Sequence, residues 1–341
     1  MKNCFCTLFD HRYLDRGLAL YESILTHCED FQLWVLCMDE TCFKVLHEMK
    51  LEHVYLIRLF QLEKFDTPLL EVKESRTPVE YYFNCKPSLA LYVLEQCETA
   101  SQIIYLDADL YFFASPEHIY DGMGGNSIAV TPHRLRDELR SSERYGKFNA
   151  GYLLFKRDKS GIACLNWWRE RCIEWCYDVV EEDRFADQKY IDRFSSLFDG
   201  VMSVDSLGVN LAPWNIDDKE IIPEGEQLYV DGQRIIFYHF HSLRNVTERV
   251  YDLGCDRYTS VLDKTVRKFL YKPYLSMLVQ NKNDLLSVVE PLKRRGEEAC
   301  GSVFENNGTV VGRLIMRINF LLTIARGLRI GRYMFAGKAC S

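Results

Sequence analysis

The chain has 341 residues, of which 48% are hydrophobic and 27% charged, and a formal net charge of −7. That balance supports a sizeable core and excludes disordered and collagen-like chains. It also argues against nonspecific nucleic-acid binding, which draws on excess lysine and arginine. Thirteen cysteines show no repeating spacing and no CxxC pair. Neither a zinc ribbon nor a redox motif is supported, and free buried thiols in a reducing cytosol are expected. The opening, MKNCFCTLFD, runs into a strand without the apolar region of a signal peptide. A cytoplasmic location is the expectation.

Residues 3–9, NCFCTLF, read as a strand, followed by a helix over 14–25 with apolar residues at Leu18, Tyr21 and Leu25. Further strands are expected at 31–38, 53–59, 102–106 and 127–131. Helices are expected at 43–49 and at 88–96, the latter starting just after Pro87. This alternation predicts βαβ units and a mostly parallel sheet. Open sheets of that kind bind ligands beyond the carboxyl ends of their strands. A short strand at 152–155, a helix over 162–180 and a hairpin over 226–240 follow, the hairpin turning at Asp231 and Gly232. From 258 onward helix dominates, with a polar linker over 281–308. We divide the chain into an α/β domain, 1–250, and a helical C-terminal extension, 251–341. Within the extension, 311–335 mixes arginines with large apolar residues, and its uncharged runs are shorter than the ~20 residues of a bilayer span. It reads either as a basic amphipathic helix on an anionic membrane surface or as a helix packed on the domain.

The stretch SQIIYLDADLYFF, 101–113, sends an apolar strand into Asp107 and Asp109 and then turns apolar again. Carboxylates are rarely buried unless paired or bound to a cation. At i and i+2 on a strand end, both reach one divalent cation when the backbone turns, and oxygen ligands suit Mg²⁺ or Mn²⁺. The competing reading is a solvated turn with Asp109 capping a helix. His239 and His241 share a strand face, and imidazole suits Mn²⁺ better than Mg²⁺. Lys86, read as preceding a helix N-terminus, would meet phosphates beside a favourable dipole. Asn149 and Gly151, in FNAG, offer two-sided hydrogen bonding and close backbone approach, or an ordinary turn. Asp187 and Gln188 read also as a helix cap and its first-turn neighbour.

Taken with its flanks, IIYLDADLYFF resembles the metal-binding strand end of the GT-A glycosyltransferases, especially the family 8 type that includes glycogenin and bacterial lipopolysaccharide galactosyl- and glucosyltransferases. Other segments match in the same order: the strand ending in Thr7, Leu8, Phe9 and Asp10, then FNCKPSLALYVLE with Lys86. FNAGYLLFKRD with Asn149, FADQKYID with Asp187 and Gln188, and IIFYHFHS with His239 follow. The match spans roughly residues 3–245. The opening TLFD…YLDRGLALYESI and the WW…EWCY segment are also similar to bacterial polysaccharide-cluster glycosyltransferases.

The resemblance implies an α/β, GT-A (Rossmann-like) fold: a mixed, mostly parallel sheet flanked by helices, with residues 1–250 as the nucleotide-sugar-binding catalytic domain. It implies transfer of a sugar from a nucleotide-diphosphate sugar, UDP being favoured, to a glycan or glycolipid hydroxyl with retention of configuration. Mn²⁺ (or Mg²⁺) is implied at Asp107, Asp109 and His239. Thr7, Leu8, Phe9, Asp10, Lys86, Asp107, Ala108 and Asp109 are implied in donor binding, with Asn149, Asp187 and Gln188 at the transferred sugar. Asp107 either touches the metal or holds the ribose. The family's glycine and Lys-Pro-Trp after the histidine are replaced by HSLRN, leaving His241 or Arg244 to clamp the diphosphate. Trp214, in NLAPWNI, stacks on a sugar or packs in the core. A sugar nucleotidyltransferase would carry a Gly-rich, basic loop after the first strand, where this chain reads DHRYLDRG. A catalytically silent binding or membrane-scaffold protein of the same fold is the other rival, and the intact Asp107, Asp109 and His239 speak against it.

Overall fold

The computed structural model describes residues 3–247, 249–294, 328 and 331–336. Strands β1 (Asn3–Phe9), β2 (Phe31–Cys37), β3 (Val54–Arg58) and β4 (Gln102–Leu106) run parallel. After β4 a short strand, β5 (Leu110–Phe112), leaves this sheet, which β6 (Ile128–Pro132), β7 (Phe148–Lys156) and β8 (Val201–Ser203) complete. The strand order is β3-β2-β1-β4-β7-β6-β8, with β7 antiparallel to β4 and β6. This is the mixed, mostly parallel, helix-flanked sheet expected of a GT-A fold. Every residue of β1 is buried, as a strand covered on both faces requires.

On one face the helix Leu14–His27 buries Leu14, Leu18, Tyr21 and Ile24, whereas Leu25 is 40% exposed. Gly17 lets this helix settle on Phe9, since a Cβ there would lie 2.3 Å from the Phe9 ring. On the other face lies the helix Pro78–Gln96, with Cys85, Leu89 and Val93 buried at helical spacing. The expected helix start after Pro87 is corrected. The helix starts ten residues earlier, where Thr77 and Glu80 form a capping box and Pro78 stands in the first turn. Lys86 is therefore inside a helix, not at its N-terminus.

Three other expectations change. The helix read over 162–180 is Lys159–Glu174, capped by Asp158, because the exposed Val179 and Val180 continue no buried face. The hairpin over 226–240 divides: β9 (Ile221–Glu224), β10 (Gln227–Val230) and β11 (Gln233–Arg234) form a small sheet. Asp231 and Gly232, at φ 46° and 78°, make its second turn, while β12 (Phe237–His239) pairs with β5 instead. The linker read over 281–308 begins as helix, since Lys272–Arg294 is continuous. Its polar composition hides Leu285, Val289 and Leu292, which join the core around the helix Leu14–His27.

The segment 311–335 falls mostly outside the described residues. At its end β15 (Tyr333–Phe335) pairs with β14 (Val250–Asp252), itself paired with β13 (Arg244–Asn245), so residues beyond 250 contribute strand as well as helix. Each described cysteine is a buried free thiol.

Candidate active site

The charged pair at 107 and 109 marks the corner where the chain leaves one sheet and enters another. Asp107 still donates its N–H to Gly151 O on β7, at 2.8 Å. Three residues on, β5 begins and pairs antiparallel with β12, which sets Leu110 opposite His239. The Phe240 N–H closes the corner on Asp109 O at 2.9 Å. Pairing register, and not proximity in the sequence, thus brings His239 to the carboxylates.

His239 is 1% exposed, and its Nε2 lies 3.0 Å from Asp109 Oδ1. The contact lacks the alignment of a hydrogen bond, and neither ring nitrogen has a hydrogen-bond partner. Burial disfavours the imidazolium, but Asp109 and Asp107 together raise the His239 pKa. Burial opposes the charge of Asp109, but the attractions of His239, His241 and Arg16 together hold it well below the usual carboxylate range. Burial and the neighbouring His239 push His241 down to about 3. Burial likewise lowers His133 to about 4.

Lys86 is 5% exposed and bridges two carboxylates, 3.0 Å from Asp107 Oδ1 and 3.2 Å from Asp187 Oδ2. Burial opposes its charge, yet the two carboxylates hold its pKa above the ordinary lysine range. Burial raises Asp187 despite Lys86. Asp187 does not cap a helix, because Gln188 occupies the cap position of the short helix Lys189–Arg193. Gln188 Oε1 accepts from Asn149 Nδ2 and the Ala150 N–H, both at 3.4 Å, and its Nε2 donates to Tyr145 O. Gly151 keeps this junction open. A Cβ there would lie 2.7 Å from Asn149 Oδ1, 2.9 Å from His239 Cε1 and 3.1 Å from Asp107 Oδ2.

A cleft of about 260 Å³ opens over this corner. Leu8, Phe9, Asp10, Lys86, Asp107, Ala108, Asp109, His239 and His241 reach it among the residues singled out in the sequence. Asp10 accepts from Arg12 Nε at 2.8 Å and from the Tyr82 hydroxyl at 3.1 Å. Thr7 is buried within β1 and does not line the cleft, and Arg244 is exposed on β13. Asn149, Asp187 and Gln188 do not line the cleft. Trp214 packs inside, edge-on to His133, His239 and His241 at 5.2–5.6 Å between ring centroids.

Sequence reasoning missed Tyr105, whose hydroxyl donates to Asp107 Oδ1 at 2.9 Å. The strand period from Asp107 points to it. It also missed Tyr82 and Phe83, cleft residues that lie about one turn ahead of Lys86 on the same helix.

No family model matches the chain. Among solved structures, one similar to it is the galactosyltransferase LgtC in complex with donor and acceptor sugar analogs. It is 16% identical, with a TM-score of 0.47 over 78% of this chain and 100% of that one. Another is mouse xyloside xylosyltransferase 1, 12% identical, with a TM-score of 0.46 over 71% and 98%. Two proteins of Bacillus subtilis (strain 168), both described as uncharacterized, are more similar in sequence. YfnD is 31% identical over 274 residues, 80% of this chain and 87% of that one. YfnF is 31% identical over 293 residues, 84% and 95% of the two chains. At that identity and coverage, the chain belongs to the family of YfnD and YfnF.

Proposed function

We propose that this protein is a metal-dependent glycosyltransferase. It moves a sugar from a nucleotide-diphosphate sugar, UDP being favoured, to a hydroxyl of a glycan or glycolipid acceptor. The observation behind this reading is the meeting of Asp107, Asp109, His239 and Lys86 at the floor of one cleft beyond the carboxyl ends of β1 and β4.

The donor set fits a divalent cation. The ring nitrogens of His239 are buried without hydrogen bonds, and Gly151 leaves room for three side chains to converge. Asp109, His239 and Asp107, through Oδ2, would hold the ion. When bound, it would neutralise charge on the departing nucleoside diphosphate. Lys86 pairs with Asp107 and Asp187 and fixes their direction, a positioning role that differs from a direct phosphate contact. Asn149 and Gln188, tied to each other, would orient the sugar hydroxyls, and Asp187 would face the anomeric carbon. Tyr13, Tyr82 and Phe83 give the cleft an aromatic wall suited to a nucleobase. Retention of configuration and a role in bacterial surface polysaccharide or glycolipid synthesis belong to the same proposal, on the family 8 resemblance.

Among the described residues, no helix is long and apolar enough to cross a membrane. Peripheral contact through 311–335 is proposed for an acceptor held in a bilayer. Salt-sensitive pelleting of the full chain with anionic vesicles supports it, and no pelleting at low salt overturns it.

The direct test is a panel of UDP-, GDP- and dTDP-sugars incubated with the purified chain and Mn²⁺, reading nucleoside diphosphate release. Release from at least one donor is expected, abolished by EDTA and reduced roughly 100-fold in Asp109→Asn. Release from none, or equal rates in EDTA, overturns the reading.

A further inference from the structure

We infer that His241 is a direct metal ligand, so that an imidazole-rich set of Asp109, His239 and His241 selects a first-row transition-metal ion such as Mn²⁺ over Mg²⁺. The inference rests on the metal-dependent reading above and deepens it, because that reading needs only one histidine.

Three observations support it. One ligand atom from each of Asp109, His239 and His241 lies within 4.8 Å of the other two. Ligand atoms around one cation at ~2.1 Å stand about 3.0–4.2 Å apart, and the Asp109–His239 pair, at 3.0 Å, already meets that spacing. Second, Trp214 packs edge-on against both imidazoles, at 5.3 and 5.6 Å, and the two rings stand 5.4 Å apart at 84°. Both are thereby held at the same corner. Third, the nitrogens of His239 are buried without a hydrogen bond, and among the described residues no hydrogen bond engages the His241 ring. Asp107, by contrast, already spends Oδ1 on Lys86 and on the Tyr105 hydroxyl. It retains one oxygen on the cation side, beside His239.

Two imidazoles and a carboxylate define a different preference from an all-oxygen site. Mg²⁺ favours oxygen ligands and holds its water tightly, whereas imidazole suits first-row transition metals. A His241 that merely contacted diphosphate would affect nucleotide binding and leave binding of the metal alone unchanged.

The test uses the full chain stripped of metal and titrated with Mn²⁺ alone, then with Mg²⁺ alone, by calorimetry. Pulsed electron paramagnetic resonance then counts nitrogens coupled to bound Mn²⁺. Wild type should show two coupled nitrogens and bind Mn²⁺ at least about tenfold more tightly than Mg²⁺. His241→Gln should show one nitrogen and bind Mn²⁺ at least about tenfold more weakly, with an unchanged circular dichroism spectrum. Unchanged affinity and coupling in His241→Gln, while Asp109→Asn loses the metal, overturns this inference and leaves the proposed function standing. Undiminished binding in Asp109→Asn and His239→Gln overturns both. Should His241→Gln fail to fold, the wild-type spectrum decides, and a single nitrogen overturns the inference.

Discussion

Lys86 neutralises the buried Asp187 and the half-buried Asp107 with one ammonium, so its removal leaves both without that counter-charge. Breaking one side of a buried pair costs about 3–5 kcal/mol because a charge is left uncompensated. Lys86→Met should therefore destabilise the chain by about 3 kcal/mol in urea unfolding. Adding Asp187→Asn should recover part of that loss. Simple addition of the two effects would show that the residues are not coupled. Gly151 is sensitive for a different reason, as it has no charge and makes room for Asn149, His239 and Asp107. Gly151→Ala should displace these groups and lower donor hydrolysis about 100-fold, in line with a misplacement near 1 Å. Full activity in that variant would show that the three groups need not converge.

Helices around the site are tied by single polar residues. Asp66 caps the helix Thr67–Val72 through the Leu69 N–H, accepts from Ser88 on Pro78–Gln96, and pairs with Arg169 on Lys159–Glu174. Burial alone would raise its pKa, but Arg169 and Ser88 lower it below the ordinary carboxylate value. A depressed folded pKa contributes stability that is present above the unfolded pKa and lost as pH falls through the folded value. Asp66→Asn should thus cost about 3 kcal/mol near pH 7, with the gap to wild type narrowing below about pH 4. Thermal melts across that range test it, and a gap independent of pH would remove the charge from the explanation. The fixed position of Pro78–Gln96 then matters to Lys86, which this helix delivers to the sheet edge.

Across the whole molecule, the helix Lys272–Arg294 is packed into the core around the helix Leu14–His27 by Leu285, Val289 and Leu292. Asn281 Nδ2 donates to Asp15 O at 3.0 Å, and Lys282 pairs with Asp15 at 3.5 Å. Leu285, 1% exposed, should cost 2–5 kcal/mol as Leu285→Ala, roughly the range for a buried leucine. Unfolding should remain a single transition at lower temperature, since the same core contains residues of β1 and β2. A separate early transition, with the rest of the melt unmoved, would make residues 272–294 an independent unit.

Local periodicity made much of this readable in advance. Strands alternating with helical spacing predicted the parallel half of the sheet, because those periods belong to a few neighbouring residues. Asp107 and Asp109 were conspicuous because charge ended an apolar strand, and the order of matching segments pointed to one family of folds. Four details were not local. Pro87 looked like a helix start, but the Thr77 and Glu80 cap had already nucleated the helix that carries Lys86. The polar appearance of 281–294 concealed a buried stripe that is recognisable only from what it covers. Asp187 could be read as a cap or as a site carboxylate, and only the fold showed that it meets an ammonium contributed from 101 residues earlier in the chain. The near-identical pair at 107 and 109 was separated by pairing: Asp107 lies beside Lys86, and Asp109 beside His239. The sequence by itself thus determined which groups were available and on which strand faces they stood. Only the tertiary structure decided which of them meet, because the β5–β12 register and the helix carrying Lys86 join residues far apart along the chain.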